Sequence, residues 1–301
     1  MWVILALISS VLLGVYDIFK KSSLNGNAVL PVLFLSTLTS ALLFLPLALL
    51  SYRFPEVIPQ QLLVPPVSAA WHGLIFLKSV IVVASWIFAF FAVKNLPITI
   101  VAPIRGTGPI WVLLGAIVVF HEQLNLLQWT GVLVTLLFFY LLSTAGKLEG
   151  IHFRSNKWVT FIVIGTLLGS ASGLYDKFIM QRVDRMAVQA WFSFYQVAIM
   201  LPVLVVARWR FPKADREPFE WRWSIPAIGL FLVLADFVYF YSLSFDDSLI
   251  SIVSALRRGG VVVTFVLGAL IFREKNIRKK GLYLAGILLG IILITIGSDL
   301  K

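Results

Sequence analysis

Gly14-Val15-Tyr16-Asp17-Ile18-Phe19 returns 159 residues further on as Gly173-Leu174-Tyr175-Asp176-Lys177-Phe178. A second block, Val101-Ala102-Pro103-Ile104-Arg105, returns after 152 residues as Val253-Ser254-Ala255-Leu256-Arg257. The same offset sets Gly108 on Gly260, Phe120 on Phe272 and Glu122 on Glu274. One short gap reconciles the two offsets, so the chain reads as a duplication. The divide falls in the polar stretch 144–157, giving a first repeat at 1–145, a linker at 146–157 and a second repeat at 158–301.

Around those blocks the chain is too apolar for a water-soluble domain. Hydrophobic residues make up 60% and charged residues 13% of its 301 positions. Soluble domains carry about 25% charge, and a core of this size could not hide so much apolar surface from water. Spanning a bilayer takes ~20 mostly apolar residues as a helix. Ten segments meet that rule: 2–19, 28–51, 71–94, 97–120, 124–143, 158–180, 187–208, 224–244, 248–272 and 278–297. The first is read as a retained helix, because Lys20 and Lys21 follow it, whereas a signal peptide carries its positive charge in front. Trp2, Tyr52, Trp129, Trp158, Trp209, Trp221 and Trp223 fall near segment ends, where interfacial aromatics belong.

The expected fold is an all-α integral membrane protein with ten transmembrane helices in two five-helix repeats. Five is odd, so the second repeat enters the bilayer from the opposite side. That relates the halves by a pseudo-two-fold axis in the membrane plane, an arrangement suited to exposing a central site to either side in turn.

The ends of helices four and nine carry a family resemblance. The first half reads Leu114-Gly115-Ala116, His121-Glu122-Gln123-Leu124 and Gln128-Trp129-Thr130-Gly131; the second reads Leu267-Gly268-Ala269 and Arg273-Glu274-Lys275. Together with helix number and repeat, these motifs resemble the drug/metabolite transporter superfamily, specifically its EamA-type members. The second half departs from the pattern at Lys279-Lys280-Gly281. The resemblance implies secondary transport of metabolites, amino acids or drugs without ATP.

Ionisable residues inside a span are costly and by default face the bundle interior or a water-filled cavity. Lys78, Arg105, Arg257 and Arg258 are such bases, and Asp236 is such an acid. Arg105 and Arg257 are the foremost candidates for substrate contact, because they hold equivalent places in the repeat. Gly106, Gly108 and Pro109 follow one and Gly259 and Gly260 the other, and interrupted helices bearing charge point to transporter sites. Arg257 and Arg258 project about 100° apart on a helix, so one of them can pair with Asp236. The competing reading puts both arginines in interhelical salt bridges. Lys78 can line the cavity or snorkel to the surface. Trp86, Tyr239 and Tyr241 are candidate aromatic walls.

Tyr16-Asp17 and Tyr175-Asp176 recur as a pair, which suggests proton coupling or a gate. The local alternative for Asp17 is a helix-surface contact with Lys20 and Lys21 at i+3 and i+4. Glu122 and Glu274 sit at membrane-surface depth and read as loop anchors or gate contacts.

Arg suits a carboxylate or phosphate by its planar fork, so the expected substrate is a small metabolite bearing such a group. An exporter of cations coupled to protons, using Asp17, Asp176 and Asp236, is the alternative within transport. A membrane-embedded enzyme acting on a lipid or isoprenoid is the alternative outside it. Against the enzyme stand the absence of cysteine, three scattered histidines, and no Asp-rich metal motif or glycine-rich phosphate loop. The expected partners are therefore a small-molecule substrate, the lipid bilayer and a coupling proton or ion, with no cofactor, no metal and no nucleic acid.

The net charge of +11 lies in short gaps between apolar runs, which is a topology signal. Connections after helices one, three, five, seven and nine hold 16 Lys and Arg, and the other side holds five. In a cell membrane this bias puts both termini outside, against the usual orientation of the family it resembles.

Overall fold

The computed structural model describes residues 2–108, 110, 111, 114, 125–147, 151–180, 182–210, 217–243, 257, 259–274 and 276–299. Ten α-helices run through the described residues. The first repeat holds α1 (Trp2–Leu24), α2 (Val29–Arg53), α3 (Ala69–Asn95), α4 (Ile98–Gly106) and α5 (Leu126–Lys147). The second holds α6 (Lys157–Met180), α7 (Arg185–Arg210), α8 (Ser224–Leu243), α9 (Gly260–Ile271) and α10 (Ile277–Asp299). Helix α1 runs five residues past the apolar segment expected from sequence. Lys20 and Lys21 find partners in the protein, so its basic end need not leave the helix for water.

Several helix starts follow from local chemistry. Asn125 and Gln128 cap α5 reciprocally: the Asn125 amide donates to Gln128 Oε1 at 3.0 Å, and the Gln128 amide to Asn125 Oδ1 at 2.9 Å. Asp184 accepts from the Met186 amide at the start of α7, and Asn156 from the Trp158 amide at the start of α6. Each satisfies a backbone donor that the helix itself cannot. Pro46 in α2 and Pro202 in α7 occupy the interiors of the second helix of each repeat.

The packing shows the repeat in space. Helix α1 lies along α8, and its repeat mate α6 lies along α3. Across the pseudo-axis, α2 meets α7, α4 meets α9 and α5 meets α10, so each of these helices packs on its own counterpart. The α5–α10 seam is close because it is built on glycine. A Cβ at Gly131 would stand 2.6 Å from the Gly290 carbonyl oxygen, and small residues let membrane helices approach to backbone contact.

The outside of the bundle is apolar. Leu42, Leu49, Leu133, Val206, Leu270 and Leu282 are exposed, which suits a lipid solvent and no aqueous one. Helices α2, α3, α6, α7 and α8 are long and apolar enough to cross a bilayer by length and composition alone. Tyr52, Trp129, Trp209, Trp221 and Trp223 project outward near helix ends as the belt reading expects. Trp158 instead stacks on Phe91, with ring centroids 6.3 Å apart.

The candidate transport site

Odd-numbered connections and even-numbered connections define two faces, the first being the more basic. Asp17 and Arg105 each lie seven residues from that face, on α1 and α4, about 10 Å deep at the helical rise. Arg105 Nη1 donates to both oxygens of Asp17, at 2.5 and 2.6 Å. Lys20 Nζ donates to the same carboxylate at 2.6 Å and Thr264 Oγ1 of α9 at 3.1 Å. The Asp17 side chain is 9% exposed and that of Arg105 34%, so the guanidinium keeps an open side. Tyr16 is buried beside this group, its ring 4.4 Å from Lys20 Nζ.

The Asp17–Lys20 contact expected at i+3 therefore exists, but inside the protein: Lys20 is 2% exposed. Lys21 does not join it. Its ammonium donates to the Val93 and Leu96 carbonyls at 2.6 and 2.7 Å, closing the C-terminal end of α3 against α1.

Deeper in, two acids of the second repeat form two more ion pairs. Arg257 Nη2 donates to Asp236 Oδ1, the pairing foreseen for one of the two adjacent arginines, and its guanidinium lies 3.9 Å from the Tyr239 ring. Lys78 Nζ donates to Asp176 Oδ1 and sits 4.5 Å from the Phe192 ring. Lys78 is buried among helices rather than reaching for the membrane surface. Asp236 lies in electrostatic range of Lys78 and Asp176 as well as Arg257, and Tyr16 in range of Asp17, Arg105 and Asp236. The charged groups of the three clusters thus act on one another across the bundle.

Arg105 of α4 pairs with Asp17 of α1, and Arg257, before α9, pairs with Asp236 of α8; both sit at helix breaks. Helix α4 ends at Gly106 with a turn at Thr107, and Gly259 is a turn before α9. Arg258 and Glu122 lie outside the described residues. Trp86 and Phe90 border a gap with Tyr16, Ser36 and Thr37 that is too narrow to hold a water molecule. Tyr239 lies against Arg257. Tyr241 stacks on Phe237 and is exposed, with the Arg185 guanidinium 5.3 Å from its ring. The Tyr175 hydroxyl donates to the Leu74 carbonyl at 3.2 Å, fastening α6 to α3.

Gln196 of α7 had no place among the sequence candidates. Its side-chain nitrogen and Arg257 Nε are buried donors without a hydrogen-bond partner among the described residues. Gln196 lies fourteen residues from the basic-face end of α7, about 21 Å deep, and Arg257 lies three residues before α9. A neutral amide in an apolar run was the only available signal.

The basic face is fastened shut. Glu274 accepts from the Ile98 and Thr99 amides at 2.7 and 3.0 Å, placing a carboxylate on the N-terminus of α4, where the helix dipole favours it. Buried Lys280 donates to Thr99 Oγ1 at 2.8 Å. Lys94 binds the Asn27 carbonyl and Glu217, and Arg222 binds the Ser22 and Asn25 carbonyls. On the opposite face the Tyr195 hydroxyl and His72 Nδ1 join α7 to α3 at 2.9 Å.

Ten helices in two repeats, with ionic pairs held inside an apolar bundle, define a multi-pass membrane protein of the transporter type. The model of the EamA-like transporter family matches residues 1–144 and 156–296; the chain belongs to that family, within the drug/metabolite transporter superfamily. A solved crystal structure shares the fold at a TM-score of 0.64 and 16% identity, over 99% of this chain and 98% of that one. No curated protein is matched by the sequence.

Proposed function

We propose that the protein is a secondary transporter of a small metabolite bearing a carboxylate or phosphate, working by alternating access between its two repeats. The observation that carries the substrate class is the pair of unsatisfied buried donors, Arg257 Nε and Gln196 Nε2. Leaving a buried donor unmade costs about 1–3 kcal/mol, and a ligand that relieves both must be an acceptor. The charge balance agrees. Lys20, Lys78, Arg105 and Arg257 outnumber Asp17, Asp176 and Asp236 by one among the members of these ion pairs, so an anion completes the set. A cationic cargo finds all three carboxylates already engaged by bases.

The more basic face is taken as cytoplasmic in a cell membrane, with both termini outside. Lys20, Lys21, Lys94, Arg222 and Lys280 are tied into the protein. Setting those five aside still leaves an excess of basic residues on that side. A reporter fused after Lys301 that is active only outside the cell agrees; cytoplasmic activity reverses the orientation.

The substrate class is tested by thermal unfolding of the purified protein against carboxylates, phosphate esters and organic cations. A ligand that binds the folded state alone raises the melting temperature, by about 2.7 kcal/mol of stabilisation at a hundred times its Kd. Acidic solutes are expected to do so, and to lose the effect in Arg257→Ala and Gln196→Ala. Shifts from cations alone, or shifts that survive both substitutions, reject the class.

A further inference from the structure

Asp17 and Arg105 of the first repeat correspond to Asp176 and Arg257 of the second, yet only the first two are paired with each other. Their seam is closed: Thr264 of α9 reaches Asp17, and a Cβ on Gly14 would stand 2.5 Å from the Val263 side chain of α9. Gly173, the counterpart of Gly14, is exposed, and nothing described comes within 4 Å of its Cβ position. This is no lipid-facing position. Gly165 and Gly169 on one side of it pack on Ser85 and Ala89 of α3, and Ser170 on the other donates to the Gly108 carbonyl at 3.1 Å. Gly173, a turn beyond Gly169 on the same helix, has no described neighbour within 4 Å of its Cβ position, and the Asp176 side chain three residues on is 27% exposed.

We propose that Asp176 is the partner Arg257 takes in the opposite-facing state: Arg257 leaves Asp236 for Asp176 and seals the far face as Arg105 and Asp17 part. The inference rests on the alternating-access reading, in which an inverted repeat reaches its second state by exchanging the conformations of its halves.

Three observations support it. The present partners of Arg257 and Asp176 lie outside the repeated blocks. At either offset Lys78 meets an apolar residue, Leu230 or Phe237, and Asp236 meets Ala84 or Leu77. Asp236 is already in range of Lys78 and Asp176, so Lys78 passes to Asp236 as Arg257 passes to Asp176. Four side chains trade partners and no buried ion is stranded, which matters because an uncompensated buried charge is strongly destabilising. Finally, Arg257 Nε has no partner in the described state, leaving a donor ready for a second carboxylate.

The chain has no cysteine, so introduced thiols report alone. Gly173→Cys samples the exposed position on α6 and Thr264→Cys the closed seam, read by labelling with a membrane-impermeant maleimide in the absence of substrate. Asp236→Asn, which releases Arg257, is expected to speed Thr264→Cys labelling about tenfold and slow Gly173→Cys labelling; Asp176→Asn is expected to do the reverse. Asp176→Glu, which keeps the charge, is expected to keep the parent pattern. Changes of the same sign in both Asn variants, or none, overturn the exchange.

A second measurement does not depend on those variants. Asp176→Cys with Arg257→Cys is expected to be bridged by a bifunctional maleimide whose reach matches an Arg–carboxylate pair, since a direct disulfide needs Cα atoms within about 7 Å, and failure to be bridged overturns the proposal. Gly14→Val, which wedges the closed seam apart, separates the two levels. If Thr264→Cys becomes reactive there while the Asn variants do not diverge, only the exchange falls. If Thr264→Cys stays unreactive in every background, alternating access falls with it.

Discussion

The two repeats carry the same ionisable pair and use it differently. In the first, Asp17 takes Arg105, Lys20 and Thr264 at once, and Gly14 is pressed against α9. In the second, Asp176 goes to Lys78 and Arg257 to Asp236, and Gly173 has no described neighbour within 4 Å of its Cβ position. Duplicated sequence has thus not produced duplicated contacts. On the alternating-access proposal, that difference teaches that the symmetry belongs to the pair of states rather than to either one, since a carrier whose halves were closed alike would expose its centre to neither side.

The largest test of that contrast is Arg105→Ala. It leaves a nearly buried Asp17 with Lys20 as its chief counter-charge, and breaking such a pair costs about 3 kcal/mol, read as a lowered melting temperature together with lost transport. Arg257→Ala is expected to cost less, because Lys78 stands near enough to answer Asp236; equal losses would erase the distinction between the repeats.

Next comes the glycine pair. Gly14→Val must overpack the α1–α9 seam and is expected to cost about 2 kcal/mol, whereas Gly173→Val should change thermal stability by under about 0.5 kcal/mol. Equal destabilisation would mean that Gly173 is as enclosed as Gly14. Glu274→Gln, which weakens the clasp on α4, is expected to cost about 1 kcal/mol in the same assay. The smallest effect belongs to Tyr239→Leu, which removes the ring against Arg257 and should weaken solute affinity by about 0.5–1 kcal/mol, read from the thermal-shift midpoint.

Much of this was legible before any coordinates. Apolar runs of spanning length gave the helices, and their odd number per repeat gave the inversion. Arg105, Arg257 and Asp236 stood out because charge in an apolar run needs a reason, and the Arg257–Asp236 pair was foreseeable from the adjacent arginines. Asp17 was harder. Lys20 and Lys21 nearby offered a sufficient local explanation, while Arg105 reaches it only because α1 and α4 both pack on α9. Thr264 and Gln196 carry no charge and disturb no hydropathy pattern, so their roles appear only once α9 and α7 are placed. Glu274 was read as an anchor or a gate contact, but that it holds the N-terminus of α4 could not be seen from its own helix. The roles of Arg258 and Glu122 lie outside the described residues.

Transport itself is tested most directly by counterflow in proteoliposomes preloaded with an unlabelled acidic metabolite that raises the melting temperature. Labelled solute outside should accumulate transiently above its equilibrium level with the parent protein and not with Arg105→Ala. No accumulation of any stabilising solute, or the same accumulation in the variant, would contradict a carrier built on these paired charges.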